Sequence, residues 1–380
     1  MASRIFMGNM PELMEDILNN LNNDIYSLYS CALPEIFYLL EHNEQFFSQL
    51  QDLWLYIPPG LKSKSATTLL RILAKSATKI SALKLNAFFS DYEWPQLFHA
   101  LTCVIKSQEQ LRKFSLVGEE YLTEFHGIIS VLESQKNSLR EIIIDNCAYS
   151  AEFEILKNCK KLEILRICDS NYWELLKILN CKISTLVVGD SRFAIDVSTI
   201  VQLLERSGIL LQQLNLETGV ESRQELLLLE AIKSFCPNIT YLNLSYIEFS
   251  TQLLDLIGNL QKLQFLTLWC NLYIPEETKI RVTQFAEILP STLQYLDLGV
   301  TWLESYIDII LNHCNAPLKK LLFNYIYDKK TTKALINFCK RNRTLNYVGL
   351  RDYSYLNENI QKELEVYVTL VPTIDIIVNC

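Results

Sequence analysis

No stretch of this sequence approaches the run of about 18 uncharged apolar residues that a membrane-spanning helix needs. Residues 1–10 hold one Arg but no apolar run of signal-peptide length. Secretion and membrane spanning are therefore not expected. Glycine and proline are scarce, 10 of each in 380 residues, which argues against long disordered stretches. The eleven cysteines form no Cys-x-x-Cys pair and no cysteine and histidine cluster at zinc spacing. An odd number cannot all pair within one chain, so reduced thiols in a cytoplasmic or nuclear protein are expected, with no metal and no cofactor. The histidines His42, His99, His126 and His313 are scattered, and neither His-Glu-x-x-His nor a nucleophile elbow nor Gly-x-Gly-x-x-Gly occurs. No catalytic residue is assigned, and a non-enzymatic protein is expected.

What is present is a chain 49% apolar and 21% charged, the balance of a folded soluble protein. At 380 residues it exceeds the size at which one globular core keeps growing, so several domains or an elongated array are expected. Its net charge of −8 is unevenly placed. Residues 1–60 carry Arg4 against Glu12, Glu15, Asp16, Asp24, Glu35, Glu41, Glu44 and Asp52, a net −7, which leaves the remainder near neutral at −1. That break, followed by Pro58-Pro59-Gly60, marks a domain boundary near residue 60.

From residue 80 onward an apolar triplet, Leu-x-x-Leu-x-Leu, recurs. The clearest copies are Leu211/Leu214/Leu216, Ile239/Leu242/Leu244, Leu263/Leu266/Leu268 and Leu293/Leu296/Leu298. Looser copies begin at Ile80, Leu111, Leu139, Leu162, Ile183, Leu318 and Leu345, and Ile374/Ile377 is a candidate start of a twelfth. On the order of ten such triplets would arise by chance at this apolar content, so the spacing carries the inference. Successive first positions lie 31, 28, 23, 21, 28, 28, 24, 30, 25 and 27 residues apart, inside or just beyond the leucine-rich-repeat period of about 20–29. Segments with helical character, such as 224–236 and 253–260, lie between them.

One strand and one helix bury neither apolar face alone, so the units must stack. The expected fold over 61–380 is an α/β leucine-rich-repeat solenoid of about 11–12 repeats, with a parallel concave sheet and outer helices. A doubly wound α/β domain also alternates strand and helix. It would predict longer, Val/Ile-led strands and a glycine-rich phosphate turn.

Ahead of the repeat, Met10-Pro11-Glu12-Leu13 precedes Ile17-Leu18-Asn19-Asn20-Leu21, then Leu28 and Cys31, a pattern fitting two short helices. These residues resemble an F-box, with its early Pro beside an acidic residue, an Ile-Leu step and a Leu three later. Asp52-Leu53-Trp54 is similar to the motif's closing Leu-Trp, while Ala32-Leu33-Pro34-Glu35-Ile36-Phe37 departs from its second half. The resemblance, closest to fungal F-box and leucine-rich-repeat proteins, implies a small all-helical module over residues 1–60. It further implies that Pro11, Glu12, Leu13, Ile17, Leu18, Leu21, Leu28 and Cys31 serve adaptor binding. The implied function is a substrate-recognition subunit of a Skp, cullin and F-box ubiquitin ligase. An adaptor-independent repeat protein that binds or inhibits a partner is the alternative, and in that case the same residues only pack an end cap.

Two features point to where a protein substrate would be held. The position before the second triplet residue reads Tyr241, Phe265, Tyr295, Lys320 and Tyr347 on successive repeats, with Trp269 following one triplet. Aligned aromatics of this kind act either as binding anchors or as cross-strand packing. Residues 317–343 carry Lys319, Lys320, Lys329, Lys330, Lys333, Lys340, Arg341 and Arg343 against Asp328, net +7. That segment suits an acidic or phosphorylated partner, or is a solvated face. Nucleic acid is not expected, because the chain as a whole is acidic. Cys159, Cys181, Cys236 and Cys314 each fall just before a triplet and read as small buried packing groups.

Overall fold

The computed structural model describes residues 47–48, 50–56, 63–88, 95–122, 124–170, 173–179, 182–189, 196–217, 222–270, 277–299, 301–326, 328–351, 353 and 356–378. The F-box-like stretch, including Pro11, Glu12, Leu13, Ile17, Leu18, Leu21, Leu28 and Cys31, lies outside the described residues, as does Cys181. The chain divides into two compact units, residues 1–181 and 182–380.

In the first unit, strands β1 (Asp52–Tyr56), β2 (Ala82–Phe88), β3 (Lys113–Leu122), β4 (Glu141–Cys147) and β5 (Ile164–Cys168) pair in parallel, each with the next in sequence. The chain returns through helices α1 (Ser63–Ser76) and α2 (Pro95–Ser107), then through 3-10 turns at Ser130–Gln135 and Ala151–Asn158, and helix α3 (Trp173–Ile178) follows β5. Register brings the second triplet residues Leu53, Leu83, Phe114, Ile142 and Leu165 into one row. All are buried, as are Leu55, Leu85, Leu116, Ile144 and Ile167 in the next row but one. Each buried side chain of this size stabilises the unit by about 1.5–3 kcal/mol, and only the neighbouring repeats supply the burial.

A buried glutamine closes two of the returns. Gln108 Oε1 accepts from the Ile80 amide at 2.8 Å while its Nε2 donates to the Ala77 and Val104 carbonyls. One repeat later Gln135 accepts from the Leu111 amide and donates to the Ile105 and Gln108 carbonyls. These side chains satisfy backbone groups that the helix-to-strand turn leaves open in a dry interior. In later repeats the same place is taken by Cys159, Cys236 and Cys314, all buried, in keeping with small packing groups. Burial raises the Cys236 thiol to about 12 and Cys314 to about 11, so both are neutral and unreactive at ordinary pH.

The second unit repeats the plan with β6 (Thr185–Gly189), β7 (Gln213–Glu217), β8 (Tyr241–Ile247), β9 (Phe265–Cys270), β10 (Tyr295–Asp297), β11 (Lys320–Phe323), β12 (Tyr347–Leu350) and β13 (Thr369–Pro372). Its helices are α4 (Val197–Ser207), α5 (Ser222–Phe235), α6 (Thr251–Asn259), α7 (Thr278–Ile288), α8 (Ile307–His313), α9 (Lys329–Asn342) and α10 (Glu358–Leu364). Strands pair in parallel and strictly in sequence order, and consecutive helices pack on one another. A doubly wound sheet reverses its strand order at a switch point, and neither unit does. Asp196, Ser250, Asp328 and Asn357 cap α4, α6, α9 and α10 by accepting from first-turn amides.

A backbone ladder explains the two residues between the first and second triplet positions. The Gln212 carbonyl accepts from the Thr240 and Tyr241 amides, Thr240 from Gln264 and Phe265, Gln264 from Gln294 and Tyr295, and Gln294 from Lys319 and Lys320. Each repeat is thereby keyed to the one before it as its strand begins.

Two expectations are corrected at the ends of the array. Residues 52–56 form a strand, on the N-terminal side of the boundary expected at residue 60, and Leu50, Leu53 and Leu55 make an earlier buried triplet. The acidic composition there masked an apolar pattern that continues through it. Ile374 and Ile377 do not begin a repeat: they are 82% and 40% exposed, and the last strand is Thr369–Pro372, placed by pairing of Val348 with Leu370. Thirteen strands are present among the described residues, β1 and the twelve that lie within residues 61–380.

Candidate functional site

The strand residues that alternate with the triplet project from the sheet face opposite the helices. In the second unit, register aligns Gln213, Tyr241, Phe265, Tyr295, Lys320 and Tyr347 in one row. The next row is Asn215, Asn243, Thr267, Asp297, Leu322 and Gly349. The aromatic file expected from sequence is therefore one physical row. The Tyr241 and Phe265 rings lie 6.3 Å apart, and Phe265 and Tyr295 5.9 Å, at tilted angles.

The row is not open along its length. Tyr241 is 4% and Tyr295 1% exposed, Phe265 and Lys320 are half-buried, and only Tyr347 is exposed. What covers them is the chain itself. After β13 a short 3-10 turn, Thr373–Asp375, sends residues 376–378 back across the face. Ile376 packs with Tyr295 and Leu322, and Phe265, Val371 and Val378 join the cluster. Tyr241 Oη donates to the Val378 carbonyl at 3.2 Å, the Val378 amide donates to Tyr295 Oη at 3.3 Å, and Lys320 Nζ donates to the Ile376 carbonyl at 3.4 Å. Three side chains of the row thus engage three backbone groups of the tail.

Gly349 completes the fit. A β-carbon there would stand 3.0 Å from Ile376 Cδ1 and 2.9 Å from Leu322 Cγ, so the absence of a side chain in mid-strand makes the socket that Ile376 fills.

Trp269 lies in the column beyond and is held on several sides. The Arg351 guanidinium is 5.0 Å from its ring centroid, Tyr246 meets it edge-on at 6.5 Å, and the ring rests on the backbone of Gly299. A β-carbon at Gly299, where φ is +55°, would fall 2.0 Å from the indole. Tyr246 stands two residues beyond its triplet, outside the positions that the repeat defines. It sits at a strand irregularity with φ of 58° and is 53% exposed. A bulky residue in the left-handed region is strained, and here the bulge presents its ring beside Trp269.

The polar row carries further demands. Asn215 and Asn243 are each 6% exposed, and both donate through Nδ2 to Glu217 Oε1, at 2.8 and 3.2 Å. Their Oδ1 atoms have no partner among the described residues. Burial raises the Asp297 carboxyl, while the Gly299 amide at 2.8 Å and the Arg351 charge pull it down. Burial also pushes the Tyr295 phenol up, so it remains a neutral hydroxyl able to accept from the tail.

The basic segment does not form a single surface. Lys320 stands on β11, whereas Lys329, Lys330, Lys333, Lys340 and Arg341 lie on α9. Lys330 pairs with Asp308 at 2.8 Å, and Lys340 sits over Tyr367. Arg341 donates to the Leu311 and Cys314 carbonyls and ties α9 to the preceding repeat. Among the described residues no group of acidic, cysteine and histidine side chains could hold a metal, and no helix is long and apolar enough to cross a membrane.

Sequential parallel strands, each led by the apolar triplet, and a layer of return helices define the α/β solenoid of leucine-rich-repeat proteins. No family model and no curated protein matches the chain. Among solved structures it is similar in fold to a chain of the Rad7 and Elc1 complex of yeast, with a TM-score of 0.57 at 15% identity over 94% of this chain and 91% of that one. A weaker likeness, TM-score 0.41 at 13% identity, is to the leucine-rich repeat-containing protein LegL7 from Legionella pneumophila, covering 71% of this chain and 89% of that one.

Proposed function

We propose that the chain is a protein receptor, and specifically a substrate-recognition subunit of a Skp, cullin and F-box ubiquitin ligase, with no bond chemistry of its own. The observation that carries the receptor reading is the face of β8–β12, which already accommodates an irregular peptide segment through side-chain contacts to its backbone. A face that recognises backbone groups and two aliphatic side chains suits protein ligands. Support for the ligase step is separate. It comes from the F-box resemblance of Pro11, Glu12, Leu13, Ile17, Leu18, Leu21, Leu28 and Cys31, and the fold neighbour from yeast belongs to a two-protein complex. In this reading the N-terminal module docks on Skp, the repeats hold the target, and transfer follows from raised effective concentration.

Copurification of the tagged full chain tests it, with wild type beside a variant carrying Ile17→Ala, Leu18→Ala and Leu21→Ala. Skp recovered with the first and lost with the second supports the ligase reading. Skp absent from both, with other partners retained, favours an adaptor-independent binding scaffold or inhibitor.

A further inference from the structure

We propose that the face of β8–β12 is a groove for an aliphatic peptide, and that residues 373–378 are its resident occupant, displaced when a partner segment binds. The partner segment presents two branched aliphatic residues separated by one position, as Ile376 and Val378 are. This rests on the receptor reading of that face and is independent of the ligase assignment.

The tail displays the chemistry of the groove. Its polar contacts to the row are through backbone groups, the carbonyls of Ile376 and Val378 and the amide of Val378, each met by a side chain of the sheet. Backbone groups are common to all peptides, so these bonds hold a segment without selecting it. Selection falls to the socket over Gly349 and Leu322, which takes the Ile376 side chain, and to the apolar ground near Phe265 and Tyr295, which takes Val378. A β-carbon at Gly349 would crowd Ile376, so the socket is matched to a branched aliphatic side chain.

The segment is also held without strand pairing. Residues 376–378 add no strand to the sheet, and Ile377 among them and Ile374 just before them are exposed. Detachment would forfeit burial of Ile376 and Val378 and uncover Tyr241, Tyr295 and Leu322, so displacement requires a partner segment that covers the same residues. Tethering nonetheless gives such a segment an effective concentration of about millimolar. A competing peptide must therefore bind better than the tail does, which sets a threshold against weak ligands.

A partner segment longer than residues 376–378 reaches further side chains of the face. From Ile376 to Val378 the chain crosses from Lys320 toward Tyr241, where the next residue of the row is Gln213 and the adjacent row holds Asn243 and Asn215. Their buried Oδ1 acceptors have no partner among the described residues. A longer segment can supply amide donors to them.

The test uses the full chain and a fluorescein-labelled peptide of sequence Thr-Ile-Asp-Ile-Ile-Val, followed by anisotropy. Ile376→Asp combined with Val378→Asp unseats the resident tail. The expected result is peptide binding at least about tenfold tighter than by wild type, since the competent state is no longer occupied from within. Adding Gly349→Leu should remove that gain, and a peptide with Asp at both aliphatic positions should bind neither protein. A folded double variant that binds no better than wild type overturns the proposal. If the double variant fails to fold, hydrogen exchange on unaltered protein decides instead. Faster exchange of the Val378 amide with excess peptide supports displacement, and unchanged exchange at millimolar peptide overturns it. Sedimentation showing a wild-type dimer that dissociates in the double variant would also overturn it, because the occupant would then be a second copy's tail. Peptide binding without Skp recovery leaves the groove intact and removes the ligase reading. Skp-dependent substrate capture without peptide binding does the reverse.

Discussion

The two units use one repeat to make two different faces. In the first, the positions corresponding to Tyr241 and Tyr295 are Lys113 and Glu141, which pair at 3.1 Å, and Arg166 reaches Glu141 at 3.4 Å from the next strand. Lys84 rests over Trp54 at 4.2 Å. In the second, the same positions are aromatic and the chain's own tail lies on them. The triplets beneath are equally buried in both. The buried triplets therefore do not dictate what the intervening positions carry.

The largest effect expected from breaking this contrast is at Tyr295. Tyr295→Ser removes a fully buried ring and a tail contact and should cost about 3–4 kcal/mol in chemical denaturation, with faster exchange at Val378. This position cannot be probed as a simple surface anchor, because its loss disturbs the fold as well as the face. Next is the glutamine that closes an early return. Gln108→Leu leaves the Ile80 amide and the Ala77 carbonyl unpaired in the interior and should cost about 2–3 kcal/mol. Cys236→Ala at the corresponding place in the second unit should cost about 1 kcal/mol, losing only packing.

A further prediction concerns pH. Glu225 on α5 is buried, and that desolvation raises its carboxyl to about 7 although the Glu248 amide donates to it. A carboxyl raised in the folded state binds its proton more tightly there than in the unfolded chain. Its contribution is thus fully present below the ordinary carboxyl range and is lost as pH rises from about 4.5 to about 7. Glu225→Gln keeps an acceptor for Glu248 and should be more stable than wild type at pH 8, on the order of 2 kcal/mol, with little difference at pH 4.5. Thermal melts at the two pH values measure it. The smallest effect belongs to the first unit's face: Glu141→Ala should cost no more than about 1 kcal/mol, less in high salt, because its cation partners retain access to water. A larger loss there would erase the distinction between the two faces.

Much of the fold was legible because the triplet recurs at a spacing that only stacking explains, and Leu214, Leu242, Leu266 and Leu296 take successive places in one row. The aromatic file was legible for the same reason, since a repeat converts sequence position into spatial alignment. Its cover was not. Ile374 and Ile377 have the spacing that opens a triplet, but Pro372 and the turn after it end the sheet, and the residues that matter are Ile376 and Val378. Nothing local distinguishes a tail that folds back from a strand that continues. Gly349 carries no signal of its own in the sequence, because its role is set by Ile376 packed against it, and Tyr246 lies outside the positions that the repeat defines.

The seated tail is tested most directly by hydrogen exchange on the full chain, comparing wild type with Gly349→Leu. With the socket filled, the Val378 amide should lose the protection it has in wild type, while the Leu242 and Leu266 amides of the sheet keep theirs. Equal protection of Val378 in both proteins, or none in either, would contradict a tail held on the β8–β12 face.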